Sequence, residues 1–464
     1  MTTRHTRVIL GPPGTGKTTR LVRVAQDLCS QEEHKNVLFV SHTTIAAKEL
    51  GKRCEMPEAT VKTMHGVCYN LLGLASAQVV DAGKLRLFGR IVGIDFDEDT
   101  WGVEALAIQA FALCTGQDLE AAFMNSGRPC TWLDMRYLAD GYTRWKAGQG
   151  FLDFTDMLLR ADQLRPASRW TKLFIDEAQD FSPLQWRIVR NLMLHADTVV
   201  VAGDDDQAIF EWGGADPHGI SHFIDEFGSE VDTLKLSYRV PRAMHKLATG
   251  IVKRITRRLP KEYEPRGADG AYQSVGSFDS LTAKELRGST VLYRDRTARE
   301  EMDEHLRSLQ LRYTAAKPPF SPYDRHEAKA LRIIKKLQGG ATMSANENKL
   351  LRRSLSDRAL AAFDAGGVDK IAGMTIHDLL NTSYDVAEYL ESVDVTLPPE
   401  VRLSTIHNFK GAEDDRIILC TALSERVVQG MITDPDAEHR VWYVGVTRAK
   451  NELITVGGDN EYSI

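Results

Sequence analysis

The sequence predicts an α/β protein built on two parallel β-sheets in tandem. Short β-branched runs alternate with amphipathic stretches, and the clearest runs are 37–40, 173–175, 199–202 and 417–420. Each run ends at a polar or glycine-rich segment, as expected when sites lie beyond the carboxyl ends of parallel strands. At 464 residues the chain is too long for one hydrophobic core. We therefore expect two α/β domains, each interrupted by a mainly helical insertion.

The domain boundaries follow the change from strand patterns to helical patterns. Two stretches, 70–150 and 318–400, have helical sequence patterns and lack comparable β-branched runs. We predict a first α/β domain at 1–69 plus 151–232 with its insertion at 70–150, and a second at 233–317 plus 401–464 with a shorter insertion at 318–400.

The composition, 43% hydrophobic and 26% charged, is that of a soluble globular protein. No apolar stretch is long enough to cross a bilayer, and the N-terminus lacks a signal-peptide core, so we expect a cytoplasmic protein without a membrane partner. Six cysteines without a Cys-x-x-Cys pair indicate neither a zinc site nor a disulfide framework. Because the net charge is −6, any polynucleotide has to be held by a local basic or aromatic groove.

A phosphate-binding loop follows the first predicted strand. Its glycines let successive N–H groups and a helix N-terminus face phosphate oxygens. Lys17 is expected to reach the β and γ phosphates, and the Thr18 hydroxyl to ligate Mg²⁺. The chain is therefore predicted to bind a nucleoside triphosphate, with contacts from Gly11, Pro12, Gly14, Thr15, Gly16, Lys17, Thr18 and Thr19.

Two adjacent acids follow the predicted strand at 173–175. A carboxylate at a strand end can hold Mg²⁺, and its neighbour can polarise the attacking water. We assign Asp176 to the metal together with Thr18, and Glu177 to the general base.

A glutamine and two aromatic residues follow the predicted strand at 199–202. The amide of Gln207 both donates and accepts, so it can sense the γ-phosphate. Phe210 and Trp212 can offer ring faces on which bases stack. This loop would join hydrolysis to contact with a polymer.

Seven further segments resemble, in order and in spacing, the motifs of UvrD/Rep-type superfamily 1 DNA helicases. They are 41–50 (SHTTIAAKEL), 63–66 (TMHG), 153–157 (DFTDM), 236–239 (LSYR), 291–294 (VLYR), 403–413 (LSTIHNFKGAE) and 442–449 (WYVGVTRA). The resemblance implies two RecA-like P-loop NTPase domains with ATP hydrolysed between them.

The same resemblance assigns further nucleotide contacts. It implies that Tyr238 stacks on adenine and that Arg239 and Arg448, both expected in the second domain, act on the phosphates as arginine fingers. The remaining nucleotide-binding residues that it implies are Lys410, Gly411 and Glu413.

For the nucleic acid, the resemblance implies a motor that uses ATP and Mg²⁺ to move 3′→5′ on single-stranded DNA and to separate duplex. Single strands and single-strand/duplex junctions are the expected partners, with a monomer able to bind and oligomers left open. The predicted DNA contacts are His42, Thr43, Thr63, His65, Phe210, Trp212, Thr405 and His407.

Several alternatives stay open at this point. One is a single-strand translocase that displaces bound proteins and unwinds poorly; another is a non-motor nucleotide switch, which the intact Glu177, Gln207, Arg239 and Arg448 disfavour. The basic run 253–258 fits either a phosphate track or a solvated helix face. Repair, replication restart and the replication of a mobile element are equally compatible pathways.

Overall fold

Two six-stranded sheets organise the described part of the chain in the computed structural model. The structure describes residues 4–54, 56, 59–96, 100–164, 168–295, 299–315, 321–458 and 461–464, with the backbone alone at 32, 45 and 49. Contacts divide the chain into a first unit, Met1–Arg239 with Ile255–Arg266, and a second unit, Val240–Arg254 with Gly267–Ile464.

The sheet of the first unit is parallel throughout. Its middle strands are continuous apolar, β-branched runs with both faces covered, as in Val199, Val200 and Val201, which are fully buried. The strands are β1 (His5–Leu10), β2 (Val37–Ser41), β3 (Thr60–Thr63), β4 (Lys172–Ile175), β5 (Thr198–Gly203) and β6 (Glu230–Thr233).

The strand order of the first sheet is β3-β2-β4-β5-β1-β6. Strands β4, β5 and β1 are therefore neighbours, although more than 160 residues of sequence separate β1 from β4. Because all three run in the same direction, the segments that follow them meet at one edge. Those segments are the three that carry the predicted phosphate chemistry.

Helices cover both faces of this sheet and also form the first insertion. Side-chain caps fix many helix starts, as at Thr43, Thr63 and Ser182. The helices are α1 (Lys17–Leu28), α2 (Thr44–Arg53), α3 (Met64–Leu71), α4 (Ala82–Val92), α5 (Trp101–Thr115), α6 (Leu119–Met124), α7 (Trp132–Gln149), α8 (Phe154–Leu164), α9 (Pro183–Met193) and α10 (Gly219–Phe227).

The first insertion has a hydrophobic core of its own. Phe88 on α4 packs with Tyr142 on α7, and Phe123 and Leu138 belong to the same buried cluster. Phe88, Phe123 and Tyr142 therefore pack in a core of the insertion itself rather than in the cores that cover the sheet.

The second unit repeats the architecture with a different strand order, β7-β12-β11-β8-β10-β9, and its pairings are again parallel. The strands are β7 (Ala271–Val275), β8 (Ser289–Tyr293), β9 (Tyr313–Ala315), β10 (Val401–Thr405), β11 (Asp414–Cys420) and β12 (Ala449–Val456).

The insertion of the second unit shares one core with its sheet. Ile334, Leu351 and Leu390 of the insertion lie in the same buried cluster as Val291 and Ile418 of the strands. The helices are α11 (Arg242–Val252), α12 (Ala283–Leu286), α13 (Arg299–Ser308), α14 (His326–Gln338), α15 (Ala345–Ser354), α16 (Asp357–Gly366), α17 (Ile376–Leu379), α18 (Tyr384–Ser392), α19 (Glu425–Thr433) and α20 (Pro435–Val446).

The predicted fold class is confirmed: two parallel α/β sheets in tandem, each with a mainly helical insertion. The unit boundary differs from the predicted 232/233. Two segments predicted for the second domain pack with the first unit. Residues 233–239 do so because Ser237 and Tyr238 hydrogen-bond to the phosphate loop, and residues 255–266 because Arg258 and Lys261 pair with aspartates that follow β5. Residues 318–320 of the predicted second insertion lie outside the described residues. Within the described residues, no helix combines the length and apolar character that crossing a membrane requires.

Candidate active site and nucleic-acid surface

The predicted phosphate loop joins β1 to α1 and is closed by its own side chains. Thr15 Oγ1 donates to the Pro12 carbonyl oxygen at 2.8 Å, and Lys17 Nζ donates to the Gly11 carbonyl oxygen at 2.8 Å. Lys17 is buried and lies across the loop. A Cβ at Gly11 would stand 2.0 Å from Lys17 Cγ, so a side chain at this position would push Lys17 from its place across the loop.

Gly14 is required for two separate reasons. Its φ of +72° is unfavourable for residues with a side chain, and a Cβ there would lie 2.4 Å from Arg239 Cβ. Tyr238 donates its backbone N–H to the Gly14 carbonyl oxygen at 2.9 Å, and Ser237 Oγ donates to that of Pro13 at 2.7 Å. The segment 237–239 therefore lies directly on the phosphate loop.

Arg239 corrects one expectation. It was expected to come from the second α/β domain, but it belongs to the first unit. The reason is the docking of its neighbours on the loop, which the strand pattern did not reveal. The side chain of Tyr238 is 72% exposed, so its ring is accessible for stacking.

Thr18 and Asp176, the two predicted Mg²⁺ ligands, are in contact. Thr18 Oγ1 donates to Asp176 Oδ2 at 2.7 Å. Burial, followed by the charge of Glu177, raises the pKa of Asp176 above its usual range. A buried carboxylate beside a threonine hydroxyl supplies the hard oxygen atoms that Mg²⁺ prefers, so these residues fit the predicted ion. The described residues contain no other group of acids, histidines and cysteines arranged for a metal.

Glu177 has an unusual backbone. Its φ of 53° places a non-glycine residue in the left-handed region. Strain of this kind costs on the order of 1–3 kcal/mol and is found mostly where function requires it. The turn directs the Glu177 carboxylate to Gln179, whose Nε2 donates to Glu177 Oε2 at 2.5 Å.

Gln179 is a residue that the sequence reasoning missed. It is fully buried, and its Oε1 accepts the backbone N–H of Asp204 at 3.0 Å. One amide thereby connects the loop after β4, which carries Glu177, with the loop after β5. In the sequence, only its position two residues after Glu177 could have indicated that Gln179 belongs to the site.

Gln207 is held by an aspartate. Gln207 Nε2 donates to Asp204 Oδ2 at 2.6 Å, and both side chains are buried. The amide of Gln207 is thus positioned within the first unit, in the loop after β5, beside the strand that leads to the phosphate loop.

A buried ionic cluster surrounds this loop, and we call it the aspartate cluster: Asp204, Asp205, Asp206, Arg258 and Lys261. Lys261 Nζ lies 2.6 Å from Asp205 Oδ1, 2.7 Å from Asp206 Oδ2 and 3.2 Å from Asp204 Oδ1. Arg258 makes a bidentate pair with Asp206 at 2.8 and 2.7 Å. Arg258, the last residue of the basic run 253–258, is therefore partly buried and paired with a carboxylate rather than fully solvated.

The predicted site residues of the second unit also lie together. Arg448 is buried, with Nε donating to the Val444 carbonyl oxygen at 3.0 Å and Nη1 to that of Ala412 at 3.4 Å. Ala412 lies between Gly411 and Glu413, so the loop after β10 is tied to the end of α20. This loop also carries Thr405, whose Oγ1 accepts the N–H of Asn408, followed by His407 and Lys410.

Three aromatic side chains form a row, which we call the aromatic row: His42, Phe210 and Trp212. His42 follows β2 directly and stacks on Phe210, with ring centroids 5.8 Å apart and planes 10° apart. Phe210 meets Trp212 at 6.4 Å, and Trp212 is 71% exposed. The row offers ring faces of the kind on which bases of single-stranded nucleic acid stack.

A second aromatic pair joins two of the helical motifs. His65 on α3 contacts Phe154 on α8 edge to face, with ring centroids 5.4 Å apart. Burial, followed by the nearby His42, lowers the pKa of His65 to about 4. His65 is therefore neutral at pH 7, and any DNA contact that it makes is not an ion pair.

The hydroxyls of the two threonines predicted to touch DNA already hold helix starts. Thr43 Oγ1 accepts the N–H of Ala46 at 3.1 Å, and Thr63 Oγ1 accepts that of Gly66 at 3.1 Å. The N-termini of α2 and α3 are thereby fixed just beyond β2 and β3. Such N-termini favour phosphate oxygens, so their backbone can serve the contact that was assigned to the threonine side chains.

The segment 153–157 has a structural role at the start of α8. Asp153 Oδ1 accepts the N–H of Asp156, and Asp156 Oδ2 accepts that of Asp153. Both carboxylates also pair with the buried Lys146, at 2.5 and 2.6 Å. This network joins α7 of the insertion to the start of α8, which carries Phe154.

Fold and site together define a P-loop nucleotide-binding protein with two RecA-like units. Two family models match the chain: the UvrD/REP helicase N-terminal domain over residues 1–228 and the UvrD-like helicase C-terminal domain over residues 373–456. The chain belongs to the UvrD/Rep family of superfamily 1 helicases.

Curated relatives agree with this assignment. The chain is 29% identical to DNA helicase II of Escherichia coli over 301 residues, which cover 58% of this chain and 41% of that protein. It is 24% identical to ATP-dependent DNA helicase UvrD2 of Mycobacterium tuberculosis over 531 residues, covering 96% and 75% respectively. It is 22% identical to ATP-dependent DNA helicase PcrA of Staphylococcus aureus over 377 residues, covering 71% and 51%. The chain thus spans less than half the length of the first of these relatives.

Proposed function

We propose that this protein is a DNA-dependent ATPase that moves 3′→5′ along single-stranded DNA and separates duplex. The observation that carries the proposal is the contact network of the first unit. Thr18 meets Asp176 beside the phosphate loop, and Gln179 connects Glu177 with the loop of Gln207. The names of the relatives support ATP and DNA as the substrates.

Hydrolysis would use these residues in separate roles. Glu177 would accept a proton from the attacking water, and Gln207 would orient that water against the γ-phosphate. Lys17, now bonded to Gly11, would exchange this hydrogen bond for the phosphates. Thr18 and Asp176 would hold Mg²⁺, which neutralises phosphate charge when bound.

Arg239 and Arg448 would complete the catalytic set. Both would stabilise charge that develops on the phosphates in the transition state. Lys410, Gly411 and Glu413 remain proposed nucleotide contacts in the second unit, in the loop tied to Arg448. Tyr238 would provide the stacking surface for the base.

Single-stranded DNA would cross the aromatic row and the N-termini of α2 and α3. Stacking on rings and phosphate contacts to helix N-termini need no base identity, so the binding would be independent of sequence. Phe210 of the aromatic row lies three residues after Gln207. The proposed DNA contact and the proposed γ-phosphate sensor therefore share the loop that follows β5. This arrangement provides a direct route by which DNA stimulates hydrolysis. Thr405 and His407 are the proposed contacts of the second unit.

Replacement of the exposed Trp212 should weaken the response to DNA. We expect Trp212→Ala to raise the concentration of oligo(dT) needed for half-maximal ATPase stimulation by roughly 5- to 150-fold, since one stacked base contributes about 1–3 kcal/mol. Tyr137→Ala is the matched control, because Tyr137 is a similarly exposed aromatic residue on α7 of the same unit. An unchanged half-maximal concentration in Trp212→Ala would remove the aromatic row from the proposed DNA path.

Direction and unwinding are tested together with tailed duplexes. With ATP and Mg²⁺, we expect strand separation of a duplex with a 3′ single-stranded tail and none of a duplex with a 5′ tail. Separation through the 5′ tail would reverse the proposed polarity. If neither duplex opens while streptavidin is displaced from a biotinylated single strand, the protein is the translocase that clears bound proteins rather than a helicase.

A further inference from the structure

The aspartate cluster places three carboxylates inside the first unit, directly after β5. Asp204, Asp205 and Asp206 are each at most 3% exposed. Burying one unpaired carboxylate is strongly unfavourable, so three consecutive ones require cations. The cations come from a segment more than fifty residues further along the chain, which carries Arg258 and Lys261.

Lys261 is the centre of the cluster. Its ammonium group is within 3.2 Å of all three carboxylates, and its side chain is 1% exposed. Burial alone would lower the pKa of Lys261, but Asp204, Asp206 and Asp205 outweigh it and raise the pKa above its ordinary value. The lysine is therefore charged at neutral pH.

The carboxylate of Asp204 contacts both Lys261 and Gln207. Asp204 Oδ1 faces Lys261 Nζ at 3.2 Å, while its Oδ2 accepts Gln207 Nε2 at 2.6 Å. An ionised carboxylate only accepts hydrogen bonds, so the amide of Gln207 has to turn its NH₂ group towards it. This hydrogen bond fixes which way the carboxamide of Gln207 points, and the ammonium group of Lys261 holds the carboxylate that accepts it.

The backbone of the same aspartate is bound on the other side. Asp204 N–H donates to Gln179 Oε1, and Gln179 Nε2 donates to Glu177. The segment 255–266 also contributes a backbone donor, because Leu259 N–H donates to Asp205 Oδ2 at 2.7 Å. Lys261, Asp204 and Gln179 thus form a continuous chain of contacts that reaches the proposed general base.

We propose that Lys261 is a positioning residue for ATP hydrolysis: by fixing Asp204, it holds Gln207 in the orientation that the reaction needs, with Arg258 as its auxiliary at Asp206. This inference rests on the proposed ATPase function. None of these cationic groups touches the nucleotide in this scheme, and their effect on the reaction passes through Gln207.

The first test is Lys261→Met in the whole 464-residue chain. We expect the kcat of oligo(dT)-stimulated ATP hydrolysis to fall roughly 10- to 100-fold, because displacing a catalytic group by about 1 Å lowers the rate by that order. We expect the KM for ATP and the affinity for a fluorescent, non-hydrolysable ATP analogue to change less than about threefold. Lys35→Met is the control, because Lys35 is an exposed lysine of the same unit.

A double-mutant cycle with Gln207→Ala separates positioning from general damage. If Lys261 acts through Gln207, the double variant Lys261→Met/Gln207→Ala should have a kcat less than about twofold below that of Gln207→Ala alone. A purely structural role predicts that the two reductions multiply, and that result would overturn the proposal.

A charge-compensated variant covers the case in which Lys261→Met does not fold. Lys261→Met with Asp205→Asn removes one positive and one negative charge, while Arg258 still pairs with Asp206. This variant should fold, as judged by thermal unfolding, and still show the reduced kcat with an unchanged KM, because the contact to Asp204 is absent. A wild-type kcat in the folded double variant would refute the positioning role.

The proposed function and this inference fail in different ways. If the wild-type protein shows no ATPase activity with oligo(dT), the proposed function fails. If the wild-type protein is active and folded Lys261 variants match its kcat, only the positioning role fails.

Discussion

Glu177→Gln is expected to bind ATP almost as tightly as the wild-type protein and to hydrolyse it roughly 10²- to 10⁴-fold more slowly. The range is the usual contribution of a general base. A glutamine has nearly the same shape and can still accept the hydrogen bond from Gln179 Nε2, so the connection to Asp204 should survive. What disappears is the carboxylate that takes the proton from the attacking water.

The measurement combines single-turnover ATP hydrolysis in the presence of oligo(dT) with binding of a fluorescent ATP analogue. Glu120→Gln is the matched control, since it removes the same charge from an exposed position on α6. Turnover of Glu177→Gln at the wild-type rate would show that another group acts as the base. A comparable loss in Glu120→Gln would attribute the effect to overall charge.

The second large effect is expected at the two arginines. Arg239→Ala and Arg448→Ala should each lower kcat by roughly 10³-fold, because an arginine that stabilises the transition state contributes 10³ to 10⁵. Nucleotide affinity should change far less, since the charge that they neutralise develops only during the reaction. Arg448→Lys should recover little activity, because lysine lacks the planar fork that bonds the Val444 and Ala412 carbonyl oxygens.

The kcat is measured in steady-state ATPase assays with saturating oligo(dT), and the nucleotide affinity by binding of the fluorescent ATP analogue. Arg242→Ala is the control, because Arg242 is an exposed arginine that starts α11 and pairs with Asp269 at the surface. If either variant retains near wild-type kcat, that arginine has no part in the reaction. If affinity and kcat fall in proportion, the arginine acts in binding rather than in the chemical step.

The sequence predicted the fold, and which segments meet at the candidate nucleotide site, because the relevant signals are local. The phosphate loop is a continuous motif, and Asp176 and Gln207 each follow a strand that its β-branched residues reveal. Parallel strands then bring their carboxyl ends to one edge, so the contact between Thr18 and Asp176 follows from topology.

The parts that the sequence did not reveal depend on contacts between distant residues. Lys261 meets Asp205 across 56 residues, and nothing in the basic run distinguishes an arginine that pairs with a buried aspartate from a solvated one. Arg239 joins the first unit through hydrogen bonds of its neighbours to Gly14 and Pro13, more than 200 residues away. No periodicity or spacing encodes such pairings.

The aspartate cluster also determines how early in synthesis the first unit can complete its fold. A fragment that ends at residue 228, where the N-terminal family model stops, contains Asp204, Asp205 and Asp206 without Arg258 or Lys261. Removing the partner of a buried ion costs about 3–5 kcal/mol, a large share of the stability of an ordinary domain. During synthesis the ribosome has to release residue 261 before the first unit can balance its buried charge. By then α11 of the second unit has already been translated, so the first unit gains its full stability only after part of the second unit has been made.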